Sequence, residues 1–331
     1  MTNHTSDEMH GPDTCPEPSG AKHRYREPRM SHIHFIQLVS ATVSAVLLAM
    51  MPATVLAAPS LEALGNIAYA GIHDAPVKLT DGYYEGEPYA PDGASRPRVQ
   101  LLPELHITGD GTGTSFVLLA ESAGGSGSNL YLAAVSPAGD NTGTVLIGDR
   151  VDVISLRGDD GKAILEYVMA GSGEPACCPT LRVSGIYGMQ QDRLVELSRE
   201  THGSISLATL AGTQWRLLQL DRNAPVPDDI TVTAAFEDRR ISGSAGCNRY
   251  FAGVSAATPY ELSIGPAGAT RMACPSPQSE VERRFLKALE SATQFSFRLG
   301  RLAIDYRDGD TMASLLFERL QPDQETTRQV H

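Results

Sequence analysis

Residues 30–61 contain no Asp, Glu, Lys or Arg, and 35–56 form a predominantly apolar run ending in Ala57, Ala58, Pro59 and Ser60. An apolar core preceded by basic residues and followed by small ones is the pattern of a secretory signal. The run is also long enough to span a bilayer, so an uncleaved N-terminal anchor is the alternative reading. Translation from Met1 and from Met30 both remain open. Either way the expectation is export, to the periplasm or cell envelope, with a membrane attachment only if the leader is retained. Residues 1–58 are read as a polar segment plus this leader.

Beyond the leader the periodicity is that of strands. A short helix is expected near 61–70, followed by a run rich in Pro, Gly and Tyr at 77–99. Apolar runs at 116–120 and 130–135 flank a Gly- and Ser-rich connection, and further strand patterns follow at 145–156, 163–169, 181–189 and 194–197. No long amphipathic helix is indicated between 99 and 200. The polar stretch 199–208 reads as a boundary, giving a β-rich N-terminal domain at 59–200. The pattern restarts at Thr213, with Trp215 as a core anchor. Strands are expected at 230–236 and 240–242 and around 260–264. A helix is expected over 280–294, with Val281, Phe285, Leu289 and Ala292 on one face and a capping box from Ser279 and Glu282. Alternating strands close the chain, with Phe295 and Phe297 on one parity and Leu302, Ile304 and Tyr306 on another. The fold class is α+β and mainly β: two β-rich domains, the second an open β-barrel-like meander packed on one helix, at 207–320, before a polar tail at 321–331.

Composition narrows the function classes. The chain has 331 residues and a net charge of −12 from 27 basic and 39 acidic residues. At roughly 150 residues per domain, two domains fit the length. The acidity disfavours a broad nucleic-acid surface, which needs clustered positive charge, and adhesion of the folded part to anionic lipid. Of the five cysteines, Cys15 falls in the leader. Cys177, Cys178, Cys247 and Cys274 remain as disulfide candidates, an even number for an oxidising compartment, with three connectivities open. A Cys247–Cys274 bridge would contribute about 3–4 kcal/mol in the chain-entropy model. Adjacent Cys177 and Cys178 read either as a redox pair or as structural staples.

Several motifs at the C-terminal end carry a resemblance. They are Gly212-Thr-Gln-Trp-Arg-Leu217, Ile241-Ser-Gly-Ser-Ala-Gly-Cys-Asn-Arg-Tyr250, Ala269-Thr-Arg-Met-Ala-Cys-Pro275, an acidic helix start and Leu315-Leu-Phe-Glu318. In this order they resemble the META domain, the module of the HslJ heat-shock proteins. The resemblance implies an open barrel around a helix, a link to envelope stress and drug tolerance, and no catalytic residues. The binding-loop candidates are Gly246, Asn248, Arg249, Tyr250 and Arg271. In the loop itself, glycine permits a tight turn and Asn248 can bond backbone locally.

Other motifs give little chemistry. The Gly- and Asp-rich stretch 109–113 supplies one carboxylate, far short of the six to eight oxygens Ca²⁺ takes. The glycines at 124–127 lack the Lys-Ser/Thr ending of a phosphate loop. His73, His106 and His202 are candidate bases, and nothing in the sequence selects one for a serine nucleophile. The tyrosines Tyr83, Tyr84 and Tyr89 read as a ligand platform or a packed edge. No catalytic residue, cofactor or metal is expected. The expected function is a non-catalytic envelope protein with a binding or structural role in stress or drug tolerance. The alternative is an inhibitor of an extracellular or periplasmic enzyme. The partner is an envelope protein or a small hydrophobic ligand.

Overall fold

The apolar runs at 116–120 and 130–135 do not alternate because the sheet they centre is covered on both faces. The computed structural model describes residues 57–108 and 112–320. The leader, Cys15, most of the Gly- and Asp-rich stretch 109–113 and the tail lie outside the described residues. Five antiparallel strands form the first large sheet, in the order Tyr83–Glu85, Arg98–Thr108, Ser115–Ser122, Asn129–Val135 and Asn141–Asp149. Phe116, Leu118, Leu130 and Leu132 face a second sheet, whereas Val117, Leu119, Tyr131 and Ala133 face Leu64, Tyr69, Val77 and Leu79 from the segment preceding the sheet. Alternate residues of a strand point to opposite faces, so two apolar covers demand apolar residues at every position. The expected helix near 61–70 is a single turn, Leu61–Leu64, capped by the Ser60 side chain.

The second sheet is a four-stranded meander of Asp152–Asp159, Lys162–Met169, Leu181–Gln190 and Arg193–Ser204. Its first turn places Asp160 at φ 46° and Gly161 at φ 70°, the left-handed pair that a two-residue hairpin needs. Val153, Leu165, Tyr167 and Val183 pack against the first sheet, making a sandwich. The polar stretch 199–204 is the exposed end of the edge strand Arg193–Ser204, hydrogen-bonded along one side only. Its polarity suits an unprotected sheet edge.

After a 3₁₀ turn at Leu207–Thr209, the chain builds the third sheet. Its main order is Ser263–Ile264, Arg249–Ser255, Arg240–Ser244, Thr233–Glu237, Thr213–Asp221, Thr311–Arg319, Arg301–Asp308 and Ala292–Arg298. The two ends almost meet: Leu262 N–H donates to Thr293 O at 3.1 Å, and Phe295 N–H donates to Tyr260 O at 2.8 Å. The result is a nearly closed barrel, mainly β as expected. The helix Gln278–Glu290 turns Val281, Phe285, Ala288 and Leu289 into its core. The capping box does not form. Pro277 holds the N-cap position with no side-chain bond, Ser279 falls inside the first turn, and Glu282 is engaged elsewhere.

Trp215 is buried in this core, its Nε1–H donating to Thr213 Oγ1 at 2.6 Å and its ring 6.2 Å from Phe297. The sandwich and the barrel share apolar contacts. Ile154 and Val168 of the second sheet belong to the same cluster as Trp215, and Gly300 N–H donates to Val153 O at 3.0 Å. Among the described residues, no helix is long and apolar enough to cross a membrane.

Candidate functional site

The strand Arg249–Ser255 sorts the binding-loop candidates by parity. Tyr250, Ala252 and Val254 point inward, while Arg249, Phe251 and Gly253 point outward. Tyr250 is buried, with its hydroxyl donating to Thr233 O at 3.0 Å and its ring edge-on to Phe285. Burial pushes its phenol well above the ordinary range. Gly246 sits at φ 108°, where a Cβ would stand 3.0 Å from Ile230 Cγ2. Glycine is therefore required at this turn on both backbone and packing grounds.

Asn248 does not bond locally as the sequence suggested. It is 4% exposed and joins three segments. Its backbone N–H donates to Glu282 Oε2 at 2.8 Å, and its Nδ2 donates to Glu282 Oε1 at 3.0 Å. Its Oδ1 accepts from Thr270 Oγ1 and from Met272 N–H, each at 2.8 Å. One amide thus ties the turn at 244–250, the loop at 270–275 and the helix together, with both ends of its dipole satisfied. A carboxylate accepting several N–H donors makes the stronger, charge-assisted kind of hydrogen bond.

The Cys247–Cys274 disulfide closes across the same junction, with Cα atoms 6.3 Å apart. That spacing is ordinary for a disulfide. Glu282 lies close to both sulfurs, which are committed to each other. Replacing both cysteines with serine is expected to lower stability by about 3 kcal/mol. Denaturant unfolding of the double variant checks this. Cys177 and Cys178 are instead exposed free thiols in the turn between the second and third strands of the four-stranded sheet.

The outward residues form a groove of about 500 Å³ on the barrel wall, lined by Arg240, Ser242, Ser244, Arg249, Phe251 and Thr270. Phe251 is 53% exposed yet held in place, with the Arg240 guanidinium 4.8 Å over the ring and Gly268 so close that a Cβ there would stand 2.9 Å from Phe251 Cζ. Arg249 and Arg271 are exposed. Neither arginine of the groove, nor Arg271, has an ion-pair partner among the described residues. The structure brings Gly246, Asn248 and Tyr250 into a fixed inner layer and leaves Arg249 and Arg271 outside. Arg240, Phe251 and Glu282 were missed by the sequence reading. Alternation over 249–255 was the available signal for Phe251. Glu282 had none, since its partner lies on another element.

The candidate bases are dispersed. His73 Nε2 is 3.8 Å from Glu121 Oε1, and His106 Nδ1 is 3.1 Å from Pro103 O. His202 Nε2 lies 2.7 Å from Ser184 Oγ, with Glu200 Oε1 3.8 Å from its Nδ1. These three groups stand along paired strands, where the Ser184 and Glu200 backbones face each other in the ladder. An acyl-transfer site also needs N–H donors aimed at an oxyanion; the strand carrying Ser184 is paired on both sides, so its own N–H groups are directed into the sheet. Tyr84 packs inward while Tyr83 and Tyr89 are exposed, so the tyrosine run does not present one shared face.

A family model, the META domain, matches residues 208–318. The match covers the barrel and its helix, close to the 207–320 expected from the motifs. Among solved structures, an NMR structure of a protein from Burkholderia xenovorans is similar at 25% identity, covering 35% of this chain and 86% of that one with a TM-score of 0.30. A second NMR structure is similar at 22% identity, covering 34% of this chain and 94% of that one with a TM-score of 0.29. No curated protein matches.

Proposed function

We propose that this chain is a non-catalytic exported protein of the bacterial envelope, whose META-like barrel binds an acidic envelope partner through the Arg240–Arg249 groove. The observation that carries the reading is two arginines with no ion-pair partner among the described residues, beside an exposed Phe251 under the Arg240 guanidinium. Arginine and aromatic side chains are enriched at interface cores and hot spots, and across an interface a positive patch such as this arginine pair meets a negative one. Export is supported by the leader pattern and by the Cys247–Cys274 disulfide, since such bonds persist in oxidising compartments. The dispersal of the candidate bases His73, His106 and His202 over separate parts of the fold supports a non-catalytic role. The resemblance to the HslJ proteins supports a place in stress or drug tolerance. Inhibition of an extracellular enzyme is the second reading, and the same groove would serve it.

The test is capture from an envelope extract by the native chain. The reading expects one partner in stoichiometric amount at low salt, released as ionic strength rises and screens the arginines. Absence of such a partner, or one held independently of salt, contradicts it. Cell fractionation is expected to find the chain outside the cytoplasm, with Cys247 and Cys274 unreactive to maleimide until reduced.

A further inference from the structure

The loop between strands Lys162–Met169 and Leu181–Gln190 holds two adjacent thiols in unusually close contact. Cys177 Sγ and Cys178 Sγ are 2.7 Å apart, well inside the ~3.5–4.0 Å at which even non-bonded carbons rest. The loop around them is pinned at both ends. The Glu174 carboxylate accepts from Gly171 N–H at 2.9 Å and from Thr180 N–H at 3.0 Å, with the Thr180 hydroxyl as a third donor. These bonds, the Thr180 hydroxyl foremost, hold its carboxyl below the usual range. Cys178 N–H donates to Pro175 O at 3.1 Å, and the next residue, Pro179, accepts from the barrel's Tyr260 hydroxyl at 2.9 Å.

We propose that Cys177 and Cys178 form a thiol–disulfide exchange site for small-molecule disulfides, closing to a disulfide between neighbouring residues. Both thiols are exposed, and Cys177 lines a cleft of about 270 Å³ shared with Leu130, Arg150, Pro179 and Leu299 that can seat a small disulfide beside it, which makes Cys177 the attacking sulfur of the proposal. Its thiolate attacks one sulfur of that disulfide, forming a mixed disulfide and releasing the first small thiolate. Cys178 then loses its proton and attacks the Cys177 sulfur, expelling the second small thiolate. Two protein thiols are oxidised, one small disulfide is reduced to two thiols, and no other oxidant is required. The hydrogen bond with Cys177 holds the Cys178 thiol above its ordinary range, consistent with Cys178 as the second sulfur to react.

The two cysteine pairs should differ in lability. Cα atoms of neighbouring residues lie ~3.8 Å apart across a trans peptide and ~2.9 Å across a cis one, short of the ~4.4–6.8 Å usual for a disulfide. Closing Cys177 onto Cys178 therefore strains the bond and makes it easier to reduce, whereas Cys247 and Cys274 sit at 6.3 Å. The experiment treats the native chain with oxidised glutathione, blocks remaining thiols with N-ethylmaleimide and maps the peptides. The expected result is an unlabelled peptide carrying Cys177 and Cys178, lighter by two hydrogens. Graded dithiothreitol then restores labelling there before it appears at Cys247 and Cys274. In Cys178→Ser, the reaction stops with glutathione on Cys177. The proposal is overturned if both thiols label fully after the oxidant. It is also overturned if either joins Cys247 or Cys274, if the Cys247–Cys274 bond opens first, or if glutathione does not collect on Cys177 in the variant.

Discussion

Asn248→Asp is expected to lower stability by about 4 kcal/mol at neutral pH, with part of the loss recovered as the pH falls. The substitution keeps the size of the side chain and replaces Nδ2, which donates to Glu282 and to Met272 O, with a second acceptor. Two carboxylates then face each other at a site where Asn248 is 4% exposed. Losing a hydrogen bond to a charged group costs about 1.5–3 kcal/mol, and the like-charge contact that replaces it adds to the loss. Like charges at contact raise the pKa of one carboxyl. A carboxyl raised in the folded state is charged at a cost above that pKa and neutral below it, so the destabilisation is full at high pH and relieved as pH falls through the raised value. Denaturant unfolding of Asn248→Asp and of Asn248→Ala across pH checks this. The alanine variant is expected to lose stability as well, without the acid recovery.

Trp215→Ala is expected to cost a similar amount, about 4 kcal/mol, with no pH dependence. The side chain is fully buried between the barrel core and Arg319, whose guanidinium stands 5.5 Å over the ring. Truncating a buried Trp costs about 3–5 kcal/mol through lost transfer energy and the cavity left behind. The change also removes the indole N–H donor from Thr213 Oγ1, which keeps its own bond to Leu210 O. Since Ile154 and Val168 of the sandwich belong to the same apolar cluster, the loss should appear in the unfolding of both regions. A melting curve followed by far-UV circular dichroism, together with hydrogen exchange in the second sheet, checks the prediction.

The parts of the fold that were legible in the sequence are those whose pattern is local. The closing strands showed their parity through Phe295, Phe297, Leu302 and Ile304, and the helix showed its face through Val281, Phe285 and Leu289. The edge strand Arg193–Ser204 was harder, because an exposed strand end and a linker share the same polar composition. Glu282 was misread for a related reason: three residues after Ser279 it satisfied a local capping rule, while its actual partner is Asn248, 34 residues away. The groove was half legible. Arg249 was singled out, but Arg240 and Phe251 join it only once the strands Arg240–Ser244 and Arg249–Ser255 pair in register. The two strands are neighbours in sequence, and it is the register across their turn that decides which side chains share a face.

In the proposed function, the candidate residues divide into an inner layer that holds the loops and an outer pair of arginines that meets a partner. The most direct test is the double charge reversal Arg240→Glu and Arg249→Glu, read by thermal melting and by capture from envelope extract. Both side chains lie outside the core, where substitutions usually stay within about 0.5 kcal/mol, and losing the Arg240–Phe251 contact adds about 0.5–1 kcal/mol. The account predicts a melting curve close to that of the native chain and loss of the captured partner. Retention of the partner at native stoichiometry by the folded double variant would contradict it.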